Sequence, residues 1–190
     1  MNTVIGIDLG TQSLKVLFYD IGRCEVVASE TAPLDLIQND DGAAEQQVQW
    51  WLAALRDAIS RVDPDVRKSA QAVAVSGQQH GLVALDDADK VLSPVKLWCD
   101  TSTEKECADI MRDFGGVDAC IEKVGNPLLP GYTASKIRWL KGAHPEAYDR
   151  LDCILLPHDF INLLLTGERC MEMGVAMLGG QAQLPTSLTM

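Results

Sequence analysis

The chain has 190 residues, 47% hydrophobic and 23% charged, with 16 Lys and Arg against 27 Asp and Glu for a formal net charge of −11. A chain of this length and apolar content can build a domain with a substantial core and is not disordered throughout; acidic overall and without a basic stripe, it repels phosphate backbones, which sets nucleic acid aside as a partner. No apolar stretch approaches the roughly 20 residues of a bilayer span, and Met1-Asn2-Thr3-Val4 lacks the basic head and apolar core of a signal peptide, so the expectation is a soluble, cytoplasmic protein with no membrane partner.

In chain order, Val4-Ile5-Gly6-Ile7-Asp8, Leu14-Lys15-Val16-Leu17-Phe18-Tyr19 and Glu25-Val26-Val27-Ala28-Ser29 read as three strands. The tight turns Leu9–Ser13 and Ile21–Arg23 join them into an antiparallel meander. Val48, Trp51, Leu55, Ile59 and Val62 then recur at helical spacing between 46 and 62. Ala72-Val73-Ala74-Val75 predicts a buried strand, with further strands at Leu82–Leu85, Val95–Trp98 and Leu151–Leu156. Helices are expected at Glu104–Phe114, Ala134–Leu140 and Asp159–Leu165, the last stopping at Gly167. A meander followed by helix–strand alternation predicts an α/β fold, a mixed sheet with helices on both faces.

The six cysteines (Cys24, Cys99, Cys107, Cys120, Cys153, Cys170) include no CxxC pair, so neither a zinc site nor a disulfide framework is expected. They read as reduced, mostly buried small hydrophobes. Trp50 and Trp51 read as packing, Lys136, Arg138 and Lys141 as solvating a helix face, and Asp86-Asp87-Ala88-Asp89 as a solvated turn.

Two segments carry chemistry. In Gly6-Ile7-Asp8-Leu9-Gly10-Thr11-Gln12-Ser13-Leu14-Lys15, a carboxylate at a strand end precedes a Gly-Thr turn. Asp8 can hold Mg²⁺ directly or through water. Gly10 lets backbone N–H groups approach phosphate oxygens, Thr11 and Ser13 add hydroxyls, and Lys15 adds a cation. The alternative is a tight hairpin in which Asp8 and Thr11 only satisfy the turn. Neither a P-loop nor a GxGxxG motif is present. The second segment, Ser76-Gly77-Gln78-Gln79-His80-Gly81, leaves a strand where open α/β sheets bind ligands. Its amides and imidazole can read the hydroxyls of a small polyol, or the loop is a structural turn.

These segments, together with Gln49-Trp50-Trp51, Leu97-Trp98-Cys99-Asp100, Gly125-Asn126, Pro130 to Leu140, Leu155-Leu156-Pro157-His158-Asp159 and Leu165-Thr166-Gly167-Glu168, stand in an order that resembles the FGGY family of carbohydrate kinases, most closely its xylulokinases. The resemblance implies two domains of the ribonuclease-H/actin-like fold, with ATP and sugar meeting in the cleft between them. It further implies MgATP-dependent phosphorylation of a sugar hydroxyl, D-xylulose to D-xylulose 5-phosphate. On this resemblance Asp8 lies near Mg²⁺ and the γ-phosphate as the catalytic and metal residue, while Thr11, Gln12, Ser13 and Lys15 line the phosphates. Gln79 and His80 contact the sugar, and Trp98, Asp100 and Tyr132 shape its pocket. Glycerol kinases carry an Arg-Glu pair where Gln79-His80 stands, which favours a ketopentose over glycerol. A homodimer is the expected assembly.

Residues 1–174 are expected to form the N-terminal, sugar-binding domain, incomplete, with 175–190 a divergent tail that matches no family motif. The resembling family places its general base, an Asp, and its adenine pocket in a later, nucleotide-binding domain that this chain lacks. Truncation, a frameshift or an expression boundary would each explain the tail. Two alternatives stay open: a non-catalytic remnant acting as a sugar-binding module, and an actin-like ATPase.

Overall fold

The computed structural model describes residues 2–171; the divergent segment 175–190 lies outside the described residues. β1 (Thr3–Leu9), β2 (Ser13–Asp20) and β3 (Glu25–Pro33) form the expected meander, each antiparallel to the next. In β2 the alternate residues Leu14, Val16 and Phe18 are fully buried while Lys15 is exposed, the period of two of a sheet with one covered face. The β2–β3 turn is fixed by the Asp20 carboxylate, which accepts the N–H groups of Gly22 at 2.9 Å and Arg23 at 3.2 Å.

Short strands β4 (Ile37–Gln38) and β5 (Ala44–Gln46) lead into α1 (Val48–Arg61). α1 buries Val48, Trp51, Ala54, Leu55 and Ala58 against β2 and β3. It ends before Asp63-Pro64, because proline disfavours helical backbone in the residue ahead of it. Asp63 instead caps the short helix α2 (Pro64–Lys68), its carboxylate accepting from the Asp65 N–H at 2.7 Å.

β6 (Ala70–Gly77) then lies parallel to β1 and completes a mixed sheet of order β3-β2-β1-β6. β7 (Val83–Leu85) pairs with β9 (Cys153–Leu155), and β8 (Val95–Lys96) pairs with β5. α3 (Glu104–Phe114), α4 (Val117–Val124) and α5 (Thr133–Ala143) build a side cluster around Cys107, Ile110, Cys120 and Leu128. After α6 (Pro145–Tyr148), α7 (Pro157–Thr166) packs beside β6, and its Phe160 meets Trp51 of α1 edge-on at 6.3 Å in the main core. α1 and α7 therefore gather on one face of the sheet. The opposite face, carrying Asp8, Lys15, Ala72, Ala74 and Ser76, is exposed among the described residues.

Several expectations need correction. β6 reads as a buried strand, yet Ala72, Val73 and Ala74 are exposed; it is the last strand of its sheet and has a neighbour on one side only. Among the cysteines only Cys107 and Cys120 are buried, Cys99 and Cys153 are half-buried, and Cys24 and Cys170 are exposed; all six are thiols. The Asp86–Asp89 turn is braced rather than merely solvated: Arg150 donates to Asp86 at 2.8 Å and Arg169 to Asp89 at 2.7 Å. Lys136 faces the interior with no exposed surface, where burial favours the uncharged state.

Gly77 stands opposite Leu9 in the β1–β6 ladder, and a Cβ there would lie 3.0 Å from both the Leu9 Cβ and the Leu9 carbonyl oxygen. Gly77→Ala is expected to destabilise the chain by about 1–3 kcal/mol through overpacking. A lower urea midpoint at unchanged slope is the expected reading, and an unaltered midpoint would contradict the packing argument.

Candidate functional site

The first hairpin closes where the Gly10 N–H donates to the Ser13 carbonyl at 3.0 Å, and a Cβ on Gly10 would sit 3.0 Å from that same oxygen. A side chain at this position would press on the oxygen that closes the turn, which favours glycine there. Asp8 and Lys15 are directly opposite in the β1–β2 register, and Ser76 flanks Asp8 from β6. Side chains at such paired positions share a face, so an exposed carboxylate, an exposed ammonium and a hydroxyl stand side by side at the carboxyl end of β1. Gln12 is exposed next to them, with Thr11 and Ser13 half-buried. Gly10, Thr11, Gln12 and Ser13 form one side of an open groove whose other side includes Gln38, Trp98 and Cys99.

The polar bend sits directly against this turn. The Gln78 N–H donates to the Leu9 carbonyl at 2.8 Å. The Thr11 hydroxyl accepts the Trp98 indole N–H at 3.0 Å and donates to the Gln78 side-chain oxygen at 3.4 Å. Beneath them lies Gln46, fully buried. Its amide nitrogen donates to the carbonyls of Thr11 and Asp35, both at 2.8 Å, and its oxygen accepts from Trp51 Nε1 at 2.9 Å and Gln78 Nε2 at 3.1 Å. All four hydrogen-bonding positions of this amide are used, and one side chain joins the turn, the bend and α1.

Beyond Gln78, Gln79 is exposed and His80 half-buried. His80 has a left-handed backbone, with φ of 58°. Its ring stacks on Tyr132 with centroids 4.6 Å apart and planes 22° off parallel. Its carbonyl accepts from Lys136 Nζ at 2.7 Å and from the Thr133 hydroxyl at 3.2 Å. Burial, helped by the Lys136 charge, lowers the His80 pKa below the ordinary imidazole value, and its Nδ1 is buried without a hydrogen-bond partner. Both effects favour the uncharged ring. Trp98 presents 52% of its surface to solvent, and Gly131 passes so close to it that a Cβ would lie 2.5 Å from the Trp98 carbonyl oxygen.

Asp100 is placed differently from its neighbours. It is fully buried, and its carboxylate accepts from the Ala44 N–H at 2.9 Å, Lys96 Nζ at 3.1 Å, and the Ser102 N–H and hydroxyl at 3.1 and 2.7 Å. Lys96 is also buried; it pairs with Glu45 at 3.0 Å and sits 4.1 Å from the centre of the Trp139 ring. Asp100 therefore anchors the segment that carries Trp98 instead of facing the groove. Thr11 and Trp98 line one groove, His80 stacks on Tyr132, Gln79 opens onto a separate hollow with Ser76, Gly77, His158, Asp159 and Asn162, and Asp100 is buried away from both.

Residues 3–180 match the N-terminal domain of the FGGY family of carbohydrate kinases. The chain belongs to that family. It is 39% identical over 183 residues to a xylulose kinase of Haemophilus influenzae, covering 93% of this chain and 37% of that protein. The Escherichia coli xylulose kinase is 35% identical over 173 residues, covering 90% of this chain and 35% of the relative. Among solved structures, the xylulose kinase of Rhodospirillum rubrum superposes with a TM-score of 0.84 at 28% identity, covering 96% of this chain and 38% of that one. The chain thus spans little more than a third of the relatives it matches. Its α/β fold, expected as ribonuclease-H/actin-like, is the one this kinase family carries.

Two neighbours of the candidate site go unrecognised in the sequence: Gln46, which falls in none of the motifs, and Lys136, which lies inside the Pro130–Leu140 segment but reads there as solvating a helix face. Lys136 falls in the same helical phase as Thr133, Ile137 and Leu140, all buried on α5, and that phase is the sign a sequence reader could use. Gln46 has no comparable sign, since apart from Trp51 its partners Thr11, Asp35 and Gln78 come from other segments.

Gln46→Leu would strand the Trp51 N–H and the Thr11 and Asp35 carbonyls. A buried polar group left without its partner costs about 1–3 kcal/mol, so chemical denaturation should show a loss of at least about 2 kcal/mol. Lys136 supplies a pH signature. Burial brings its pKa from 10.5 down to about 7, against the opposing pull of Asp100 and Cys99. Between about pH 7 and 9 the unfolded chain keeps a proton that the folded chain has released, so stability rises with pH over that window. Higher up, the thiols of Cys99, Cys107 and Cys153, whose protonated forms burial favours, act in the opposite sense. Denaturation midpoints measured across this window should climb for the wild-type chain and stay flat for Lys136→Met.

Proposed function

We propose that this chain supplies the sugar-facing wall and the phosphate turn of a kinase that transfers the γ-phosphate of ATP to a hydroxyl of a ketopentose, D-xylulose, giving D-xylulose 5-phosphate. One observation carries the reading: the Leu9 carbonyl to Gln78 N–H bond of 2.8 Å, reinforced by Gln46, which sets the phosphate turn and the Gln-Gln-His bend side by side. A kinase needs its nucleotide oxygens and its accepting hydroxyl within reach of each other, and positioning makes up most of phosphoryl-transfer catalysis.

The bend favours an uncharged polyol. A neutral imidazole, an exposed amide at Gln79 and the Tyr132 phenol can read hydroxyls, and the half-exposed Trp98 indole offers an apolar surface to the C–H face of a sugar. No Lys or Arg stands within the bend itself, which disfavours a sugar already phosphorylated. The relatives named as xylulose kinases make D-xylulose the first sugar to test.

Asp8 would hold Mg²⁺, with Lys15, Thr11, Gln12 and Ser13 along the phosphates. A single exposed carboxylate suits that ion, which takes one or two protein oxygens and completes its shell with phosphate and water. Bound there, Mg²⁺ would screen phosphate charge. The base taking the hydroxyl proton and the adenine pocket are assigned to the part of the relatives' length that this chain does not span. The cytoplasm, where ATP is plentiful, is the proposed place of action; among the described residues no helix is long and apolar enough to cross a membrane.

Calorimetry with D-xylulose on the 190-residue chain is expected to show binding, and His80→Ala to weaken it about tenfold, the worth of one hydrogen bond, at an unchanged melting temperature. Failure of the wild-type chain to bind D-xylulose would remove the sugar assignment. ATP hydrolysis indifferent to any sugar would point to an ATPase instead, and unfolding of His80→Ala would make the bend a structural turn.

A further inference from the structure

Lys136 has no exposed surface, yet it is tied by hydrogen bonds to backbone carbonyls: its Nζ donates to the His80 oxygen and to the Gly131 oxygen, each at 2.7 Å. Burying an ammonium is costly, and an apolar side chain of the same length would fill the space between Thr133, Ile137 and Leu140 at lower cost. Core stability therefore gives no reason for a lysine here. Its two acceptors do.

One acceptor belongs to His80, a non-glycine residue in left-handed backbone, and the other to the residue immediately before Tyr132. Left-handed backbone is unfavourable for residues with a Cβ and persists only where the surroundings hold it. Here the Thr133 hydroxyl, at 3.2 Å, and Lys136 share the His80 carbonyl. By reaching from that carbonyl to Gly131, Lys136 ties the bend after β6 to the turn before α5. Their two rings meet across this tie, 4.6 Å apart and 22° from parallel. Gly131 is in turn wedged against the Trp98 carbonyl, so the tie also bears on the backbone that carries Trp98.

We propose that Lys136 is a positioning residue for the sugar wall: by bridging the His80 and Gly131 carbonyls it holds the His80 and Tyr132 rings stacked at the spacing that sugar binding uses. The proposal rests on the reading of His80 and Tyr132 as sugar-facing, and its test has a readout that needs no sugar. Ring-to-ring nuclear Overhauser contacts between His80 and Tyr132, together with the ring-current displacement of the His80 imidazole signals, are recorded for the 190-residue chain and for Lys136→Met. A folded Lys136→Met should lose the contacts and the displacement and bind D-xylulose at least tenfold more weakly by calorimetry. Lys136→Arg, which keeps donors for both carbonyls, should recover part of each.

Unchanged ring contacts in a folded Lys136→Met would overturn the proposal, as would lost contacts with unaltered D-xylulose affinity. Should Lys136→Met not fold, the wild-type chain still decides. Recorded below pH 7, where Lys136 is protonated, an ammonium signal protected from exchange, with contacts to the α-protons of His80 and Gly131, is required, and its absence is fatal to the idea. A wild-type chain that takes up no D-xylulose overturns the sugar reading and with it the affinity half of the proposal, whereas the ring contacts report on the tie regardless.

Discussion

The parallel ladder between β1 and β6 ends at a point where two backbones touch. Gly77 lies so near Leu9 that a methyl group would meet both its Cβ and its carbonyl oxygen at 3.0 Å, and the next residue along donates its N–H to that oxygen at 2.8 Å. Because strand order places the meander on one side of β1 and β6 on the other, the turn leaving β1 and the bend leaving β6 emerge at the same end of the sheet. Parallel neighbours bring their carboxyl ends together, and ligands of open α/β sheets bind there. The side chains at this end depend on that contact for their relative placement.

The same end of the molecule is held by buried polar groups rather than by packing alone. Gln46 spends its whole amide on four partners, Asp100 gathers a backbone N–H, an ammonium and a serine, and Lys96 rests between Glu45, Asp100 and the Trp139 ring. Fully satisfied networks of this kind specify one geometry, because every alternative arrangement leaves a polar group without its partner in a medium of low dielectric. Apolar contacts would tolerate sliding of one segment over another; this crevice does not.

The fold was legible in the sequence where periodicity decides it. The three-strand meander, α1 and α3 follow from alternation in Leu14, Val16 and Phe18 and from the spacing of Val48, Trp51 and Leu55. The short helices α2, α4 and α6 were not, since a turn or two of helix shows no repeat, and neither were the few residues of β4 and β5. Burial was misjudged wherever it depends on remote neighbours. The run Ala72–Val75 is apolar enough for a core but has a strand on one side only, while Lys136 is charged and yet lies in the phase of Ile137 and Leu140. At the crevice, the residue types pointed to polyol and phosphate chemistry, but residue type could not show that Asp100 turns inward to Lys96 or that Thr11 already serves Trp98 and Gln78.

The outer side of β6 has a colloidal consequence. Among the described residues it ends the sheet, and Val73 there is 45% exposed. A strand at the edge of a sheet, with an apolar side chain exposed, is a template for recruiting a further strand from another molecule. Charge is the available countermeasure: with a net of −11 the copies repel one another at low ionic strength, and added salt screens that repulsion over about 10 Å at 0.1 M. Purified on its own, the chain should keep best in dilute buffer.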